Sequence, residues 1–115
     1  MKYTRMYADA NGESHFEDLE ADLSPGAGGM ASQVQTATGF MFRRTLPNYD
    51  VSWHPAPRRY LVVNVEGWVE LHVSDGEVRR FGPGSIVLTE DTTGKGHISR
   101  AVDGQERLSV FVQLD

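Results

Sequence analysis

Cysteine is absent from the chain, which excludes a disulfide framework and any zinc site built on thiolates. Long apolar runs are absent too, and nothing approaches the roughly 20 residues that a membrane-spanning helix needs. Basic residues are in deficit: 11 Lys and Arg stand against 16 Asp and Glu, a formal charge of −5. Nucleic-acid phosphates and anionic membrane surfaces both reward a basic face, so neither is expected as a partner. The first residues, Met1-Lys2-Tyr3-Thr4-Arg5-Met6-Tyr7, lack the continuous apolar segment of a signal peptide, and the expectation is a cytoplasmic protein. No stretch carries helical periodicity over three turns. There is neither a cysteine nucleophile nor a G-x-S-x-G elbow, which argues against covalent hydrolase chemistry. The run Asp91-Thr92-Thr93-Gly94-Lys95-Gly96 is no phosphate loop, because the Walker pattern requires Ser or Thr after its lysine and Gly96 stands there.

What remains is a chain of 115 residues, enough for one domain with a real core. Short runs rich in β-branched residues recur every eight to twelve positions between Gly and Pro turns, the pattern of an all-β sandwich or barrel. The segments Tyr3–Tyr7, Phe40–Arg44, Tyr60–Val65, Trp68–Val73, Glu77–Phe81, Ser85–Thr89 and Arg107–Leu114 read as strands. Asn11-Gly12 carries the residue types of a hairpin turn with two positive φ values. Glu17–Leu23 suits an acidic edge strand, with charges that discourage unwanted pairing, although one helical turn fits its leucine spacing. Residues 24–39 are a loop by composition, read either as a flap over an open barrel end or as a plain surface loop. The organisation expected is an N-terminal part, 1–38, packing on a barrel of 39–115 or on a partner's.

The stretch from Trp53 to His97 holds most of the chemistry. Side chains alternate along a strand, so His54, Ala56, Arg58, Tyr60, Val62 and Asn64 share one face if the pairing is regular. That face would present an imidazole, a guanidinium, a phenol and an amide together, the parts of an acid–base site for an anionic intermediate. Arg58 would hold the anion, His54 or His97 would move a proton, and Tyr60 would donate a hydrogen bond. The competing reading leaves Arg58 and Arg59 in solvent, with Tyr60 and His97 as core residues. Phe40, Phe42 and Trp53 are candidates for an apolar pocket wall or for ordinary core. Asp91 and Gln113 complete the candidate ligand-binding set, although the alternation of residues 107–114 leaves open which face points inward. His72 and His15 are expected at the surface.

At Gly67, Gly82-Pro83-Gly84 and Gly94-Lys95-Gly96-His97 the chain resembles a small single-domain cupin, over about residues 39–114. That family is a double-stranded β-helix, or jelly-roll, barrel with two motifs, G-x5-H-x-H-x3-4-E-x6-G and G-x5-P-x-G-x2-H-x3-N. Setting Gly67 as the last glycine of the first motif puts His54 on its first histidine. Ala56 then falls on the second histidine and Tyr60 on the glutamate. In the second motif Gly84 opens the run and Gly94-x-x-His97 matches G-x2-H, with two additional residues between them. Thr92 replaces the proline, and Ala101 replaces the asparagine. The resemblance implies an all-β barrel in which only His54 and His97 remain as metal ligands, so that it holds no cofactor or a weakly bound divalent metal. It implies a homodimer joined through edge strands, to which Tyr3–Leu23 is suited as an exchanged strand. The expected function is a small-molecule enzyme of the isomerase, lyase or cyclase kind. The alternatives are a metal-dependent oxygenase or hydrolytic enzyme with a reduced ligand set, and a non-catalytic binding module.

Overall fold

The computed structural model describes residues 1–115, and every regular element in it is a strand. The elements are β1 (Lys2–Ala8), β2 (Ser14–Glu20), β3 (Ser24–Gly26), β4 (Gly29–Ala31), β5 (Gly39–Thr45), β6 (Asp50–His54), β7 (Tyr60–Glu66), β8 (Val69–Val73), β9 (Val78–Phe81), β10 (Ile86–Glu90), β11 (His97–Ala101) and β12 (Arg107–Gln113). They form a six-stranded sheet in the order β2-β1-β10-β7-β12-β5, a four-stranded sheet in the order β6-β11-β8-β9, and the small exposed hairpin β3-β4. From β5 onward the chain alternates between the two larger sheets, with the hairpin β8-β9 as the one consecutive pair within a sheet. No helix is long and apolar enough to cross a membrane.

The inner faces of the two sheets make the core. Met6 and Val87 from the neighbouring parallel strands β1 and β10, with Phe16 of β2, pack against Val69, Leu71, Val73 and Phe81 of β8 and β9. Phe16 and Phe81 are tilted aromatic neighbours with centroids 5.9 Å apart. Burial alternates strictly along β8, where Val69, Leu71 and Val73 point inward and Glu70 and His72 outward. His72 is therefore on the outer face, bonded to Glu70 at 2.7 Å. The filled part of the interior lies beneath β1, β2 and β10. Beneath β5, β7 and β12 the space is hollow.

The strand readings survive with shifts of a residue or two; β6 and β11 are strands that were not read from the sequence, and the short hairpin β3-β4 lies within residues 24–39, where only loop was expected. The segment Glu17–Leu23 contributes to the sheet edge, since β2 is the terminal strand and pairs only with β1. The N-terminal strand β1 joins its own chain's sheet beside β10 rather than extending away from it. At Asn11-Gly12 only the glycine has positive φ, because the loop spans residues 9–13 and Asp9 caps it by accepting from the amides of Asn11 and Glu13. Two consecutive positive φ values occur instead at Asp103 and Gly104, between β11 and β12.

Candidate active site

The hollow end of the interior is a cavity of about 130 Å³ open at one side. Core residues Met6, Val69, Leu71, Phe81 and Val87 form its floor, and polar groups from β5, β6, β7, β11 and β12 form its walls. Both predicted histidines line it. His54 ends β6 and His97 begins β11; the two stand opposite each other in an antiparallel pairing, with ring centroids 4.4 Å apart. Two residues 43 positions apart in the sequence thus meet in one wall.

His97 is held firmly. The residue is 7 % exposed and its Nδ1 lies 2.5 Å from Oδ2 of Asp91, which is wholly buried. The backbone carbonyl of Asp91 accepts from the amide of Ala56, which anchors the β10–β11 connection to the chain beyond His54. A carboxylate in that position accepts Nδ1–H, fixes the ring's orientation and leaves Nε2 as the basic atom toward the cavity. His54 is oriented through Nδ1, 2.7 Å from the carbonyl of Ser52. Gly96 makes the approach of the two strands possible. It adopts φ +71°, and any Cβ there would lie within 3.0 Å of the His54 carbonyl. Ser14, also buried, donates from Oγ to the Gly96 carbonyl at 2.6 Å and so ties β2 to the same turn.

Tyr60 and Asn64 also line the cavity, on the inward face of β7 together with Val62. Ala56 is there as well, but Arg58 is not. Between Pro55 and Arg59 the chain leaves one sheet for the other without strand pairing, and the two prolines offer no N–H to a ladder. The alternation that would have carried Arg58 inward is broken. Its guanidinium is exposed, 3.2 Å from Oε1 of Gln113 and 3.3 Å from the Asp115 carbonyl oxygen. Gln113 stands opposite Tyr60 in the sheet but is engaged with Arg58 and does not line the cavity. Phe40 and Phe42 are also corrected. They are 67 % and 80 % exposed on the outer face of β5, because the inward parity of that strand belongs to Arg43 and Thr45. Trp53, adjacent to His54 and of opposite parity, is half-exposed and outside the cavity.

In place of Arg58 the structure brings Arg43, Arg107 and Tyr49 to the cavity. On β12 the row that faces inward is Arg107, Ser109 and Phe111, and the aliphatic row Leu108, Val110 and Val112 faces out. The Arg43 guanidinium lies between two rings, 5.0 Å from the centroid of Phe111 and 5.8 Å from that of Tyr49. Arg107 is buried, and removal from water pushes its guanidinium below the usual arginine range. The electrostatic effect of Tyr49 acts in the opposite direction, and the like charge of Arg43 adds to the lowering. A clue was available in the sequence: Arg43 and Arg107 each occupy the centre or end of an apolar strand, where a solvated charge has little reason to be.

The donor set bears on a metal. Each histidine has its Nδ1 engaged, so two Nε2 atoms remain, and no group of three His, Asp or Glu side chains in the fold is arranged to hold a metal ion. A catalytic metal ordinarily takes three protein ligands. The residues present do not fit that requirement.

The class defined by these features is an all-β protein of two facing sheets with an interior cavity lined by both polar and apolar side chains. No protein-family model matches the chain, and no curated protein is similar to it. Among solved structures it is similar to protein NMB1881 from Neisseria meningitidis, with a TM-score of 0.52 and 17 % identity over 84 % of each chain. That likeness concerns the fold.

Proposed function

We propose that this chain is a cupin-type jelly-roll enzyme that moves protons on a small molecule, as isomerases, lyases and cyclases do, through side chains rather than a metal. The observation that carries the reading is the buried Asp91–His97 pair facing His54 across 4.4 Å at a cavity wall. A burial cost is accepted there for a group that packing alone would fill with an aliphatic residue. In the reaction class favoured, His97 Nε2 takes a proton from the carbon beside a substrate carbonyl. The C–H electron pair moves into the new C=C bond and the carbonyl oxygen gains the negative charge. The Tyr60 hydroxyl donates to that oxygen; the proton taken up by His97 passes to the neighbouring His54, which delivers it to the carbon that closes the sequence as the oxygen's charge returns to the carbonyl, so that both rings end as they began. Asp91 Oδ2, bonded to Nδ1, stabilises the imidazolium formed at His97. The alternation of strands between two facing sheets after β5 supports the jelly-roll assignment, as does the placement of His54 and His97 at matching motif positions.

The test is deuterium incorporation from D2O into a panel of small ketones, aldehydes and 2-oxo acids, followed by NMR. Exchange above the buffer rate that His97→Gln and His54→Gln both abolish is the expected result. Exchange indifferent to both variants overturns the reading. Thermal stabilisation by panel members without any turnover would identify a binding module. A stoichiometric transition metal lost in either histidine variant would move the assignment to metal chemistry.

The homodimer is a proposal of the same standing. β5 is a terminal strand of its sheet, and Phe40 and Phe42 lie exposed on it, edge to face at 5.6 Å. An isologous pairing of β5 with its copy would satisfy the open edge and cover both rings.

A further inference from the structure

We infer that the cavity takes a small organic carboxylate, whose charged end lies against Arg107 and Arg43 and whose apolar end lies against the core floor; this rests on the cavity being the ligand site. The chain has nine arginines, and the other seven are all engaged. Arg5, Arg44, Arg59, Arg79, Arg80 and Arg100 pair with carboxylates, and Arg58 bonds Gln113 and Asp115. Arg43 and Arg107 have no carboxylate, and both line the cavity. Arg107 is the sharper case. It is 7 % exposed, and its buried Nε has no hydrogen-bond partner. Arginine keeps its proton even when buried, so the site carries an uncompensated positive charge in a weakly solvated space.

Its neighbours are unsatisfied as well. Thr45 stands opposite Arg107 in the β5–β12 register, and Ser109 is opposite both Arg43 and Asn64. Thr45 Oγ1, Ser109 Oγ and Asn64 Oδ1 are buried without partners. Asn64 lines the cavity with the two arginines, whereas Thr45 and Ser109 lie behind its lining, so an anion's contacts rest on the guanidinium groups, and an arginine fork matches a carboxylate in both geometry and charge. The one carboxylate deep in this part of the fold, Asp91, is committed to His97. Size and lining favour a carboxylate over inorganic phosphate. A cavity of about 150 Å³ holds benzene, so one of about 130 Å³ suits a ligand of similar bulk. The floor formed by Val69, Leu71 and Phe81 gives an apolar body something to pack on.

The experiment titrates the whole protein with isobutyrate, isobutyramide and inorganic phosphate at constant ionic strength, followed by NMR shifts and the thermal midpoint. Isobutyrate is expected to move the Arg107, Arg43 and His97 resonances and to raise the midpoint with concentration, while its amide isostere does neither. Arg107→Met is expected to weaken isobutyrate binding by about 30-fold or more, since truncating one side of a buried charged contact is costly; Arg107→Lys should retain part of it. Isobutyramide binding as tightly as isobutyrate, phosphate outcompeting it, or no response to any probe overturns the inference. The two readings separate cleanly. If isobutyramide alone shifts the His54 and His97 resonances, the cavity remains a ligand site but the anion assignment falls. If isobutyrate binds through Arg107 while proton exchange is indifferent to His97→Gln, the acid–base reading falls and the carboxylate site stands.

Discussion

Replacing Gly96 by alanine probes the contact that brings the two histidine strands together. At φ +71° an L-residue costs about 1–2 kcal/mol in backbone conformation. The added methyl would also lie within 3.0 Å of the carbonyl oxygen and carbon of His54 and of the Pro55 nitrogen. These are backbone atoms at the end of β6, so no side-chain rotation relieves the overlap, and overpacking of this kind costs about 1–3 kcal/mol. The sum is about 2–5 kcal/mol, which for a domain of this length lowers the thermal midpoint by about 8–20 °C. Gly104→Ala is the matched control, with φ +62° and no atom within 4 Å of the new methyl. It incurs only the conformational cost of about 1–2 kcal/mol, or about 4–8 °C. Both variants would be compared by calorimetry, and the His54 and His97 ring resonances by NMR. Gly96→Ala alone should shift both rings as β6 is pushed away from β11. A Gly96→Ala midpoint equal to that of Gly104→Ala, with unmoved histidine resonances, would refute the close approach and the pairing argued from it.

Asp91→Ala leaves His97 Nδ1 buried without a partner and should cost about 2 kcal/mol by denaturant unfolding; a loss under half of that would mean the bond contributes little. Arg107→Met removes a buried charge that no residue compensates, and without ligand it should raise stability by about 1 kcal/mol; a clear loss would show that the guanidinium supports the fold. The bonds from Asp9 and Asp75 raise the pKa of His15, and His15 in turn helps lower both carboxylates. A raised histidine contributes its stability fully below its unfolded pKa of about 6.5 and loses it as pH climbs through the folded value. The lowered aspartates lose theirs as pH falls from about 4. His15→Gln should therefore flatten the fall in thermal midpoint above neutral pH, and an unchanged slope would count against the bridge. Phe42→Asp should convert the proposed dimer to a monomer in sedimentation velocity, and a wild-type monomer at micromolar concentration would remove that proposal.

Much of the architecture was legible because strands and their turns leave local marks. Alternation along Val69–Val73 matches the burial observed, and Gly76, Gly84, Gly94 and Gly104 mark turns with positive φ. His54 and His97 were legible through spacing relative to Gly67 and Gly94, which is a one-dimensional property. Arg58 was misplaced for a reason equally plain. Parity holds only while the ladder continues, and it stops at Pro55-Ala56-Pro57, where the chain changes sheets. The same limit applies to β12. Its two rows, one aliphatic and one containing Arg107, Ser109 and Phe111, alternate perfectly in the sequence, and nothing local says which is inside.

The sequence by itself determined an all-β chain, most of its turns, and a pair of histidines set at the ends of one long stretch. Only the tertiary structure decided that the more polar row of β12 faces inward. Facing requires knowing what lies across the interior, and that depends on β5, β7 and the opposite sheet together. An arginine in isolation belongs in water. Beside Arg43 at the wall of a cavity with an apolar floor, Arg107 is buried with its Nε unpartnered. That property belongs to the assembled cavity and to no segment of the chain.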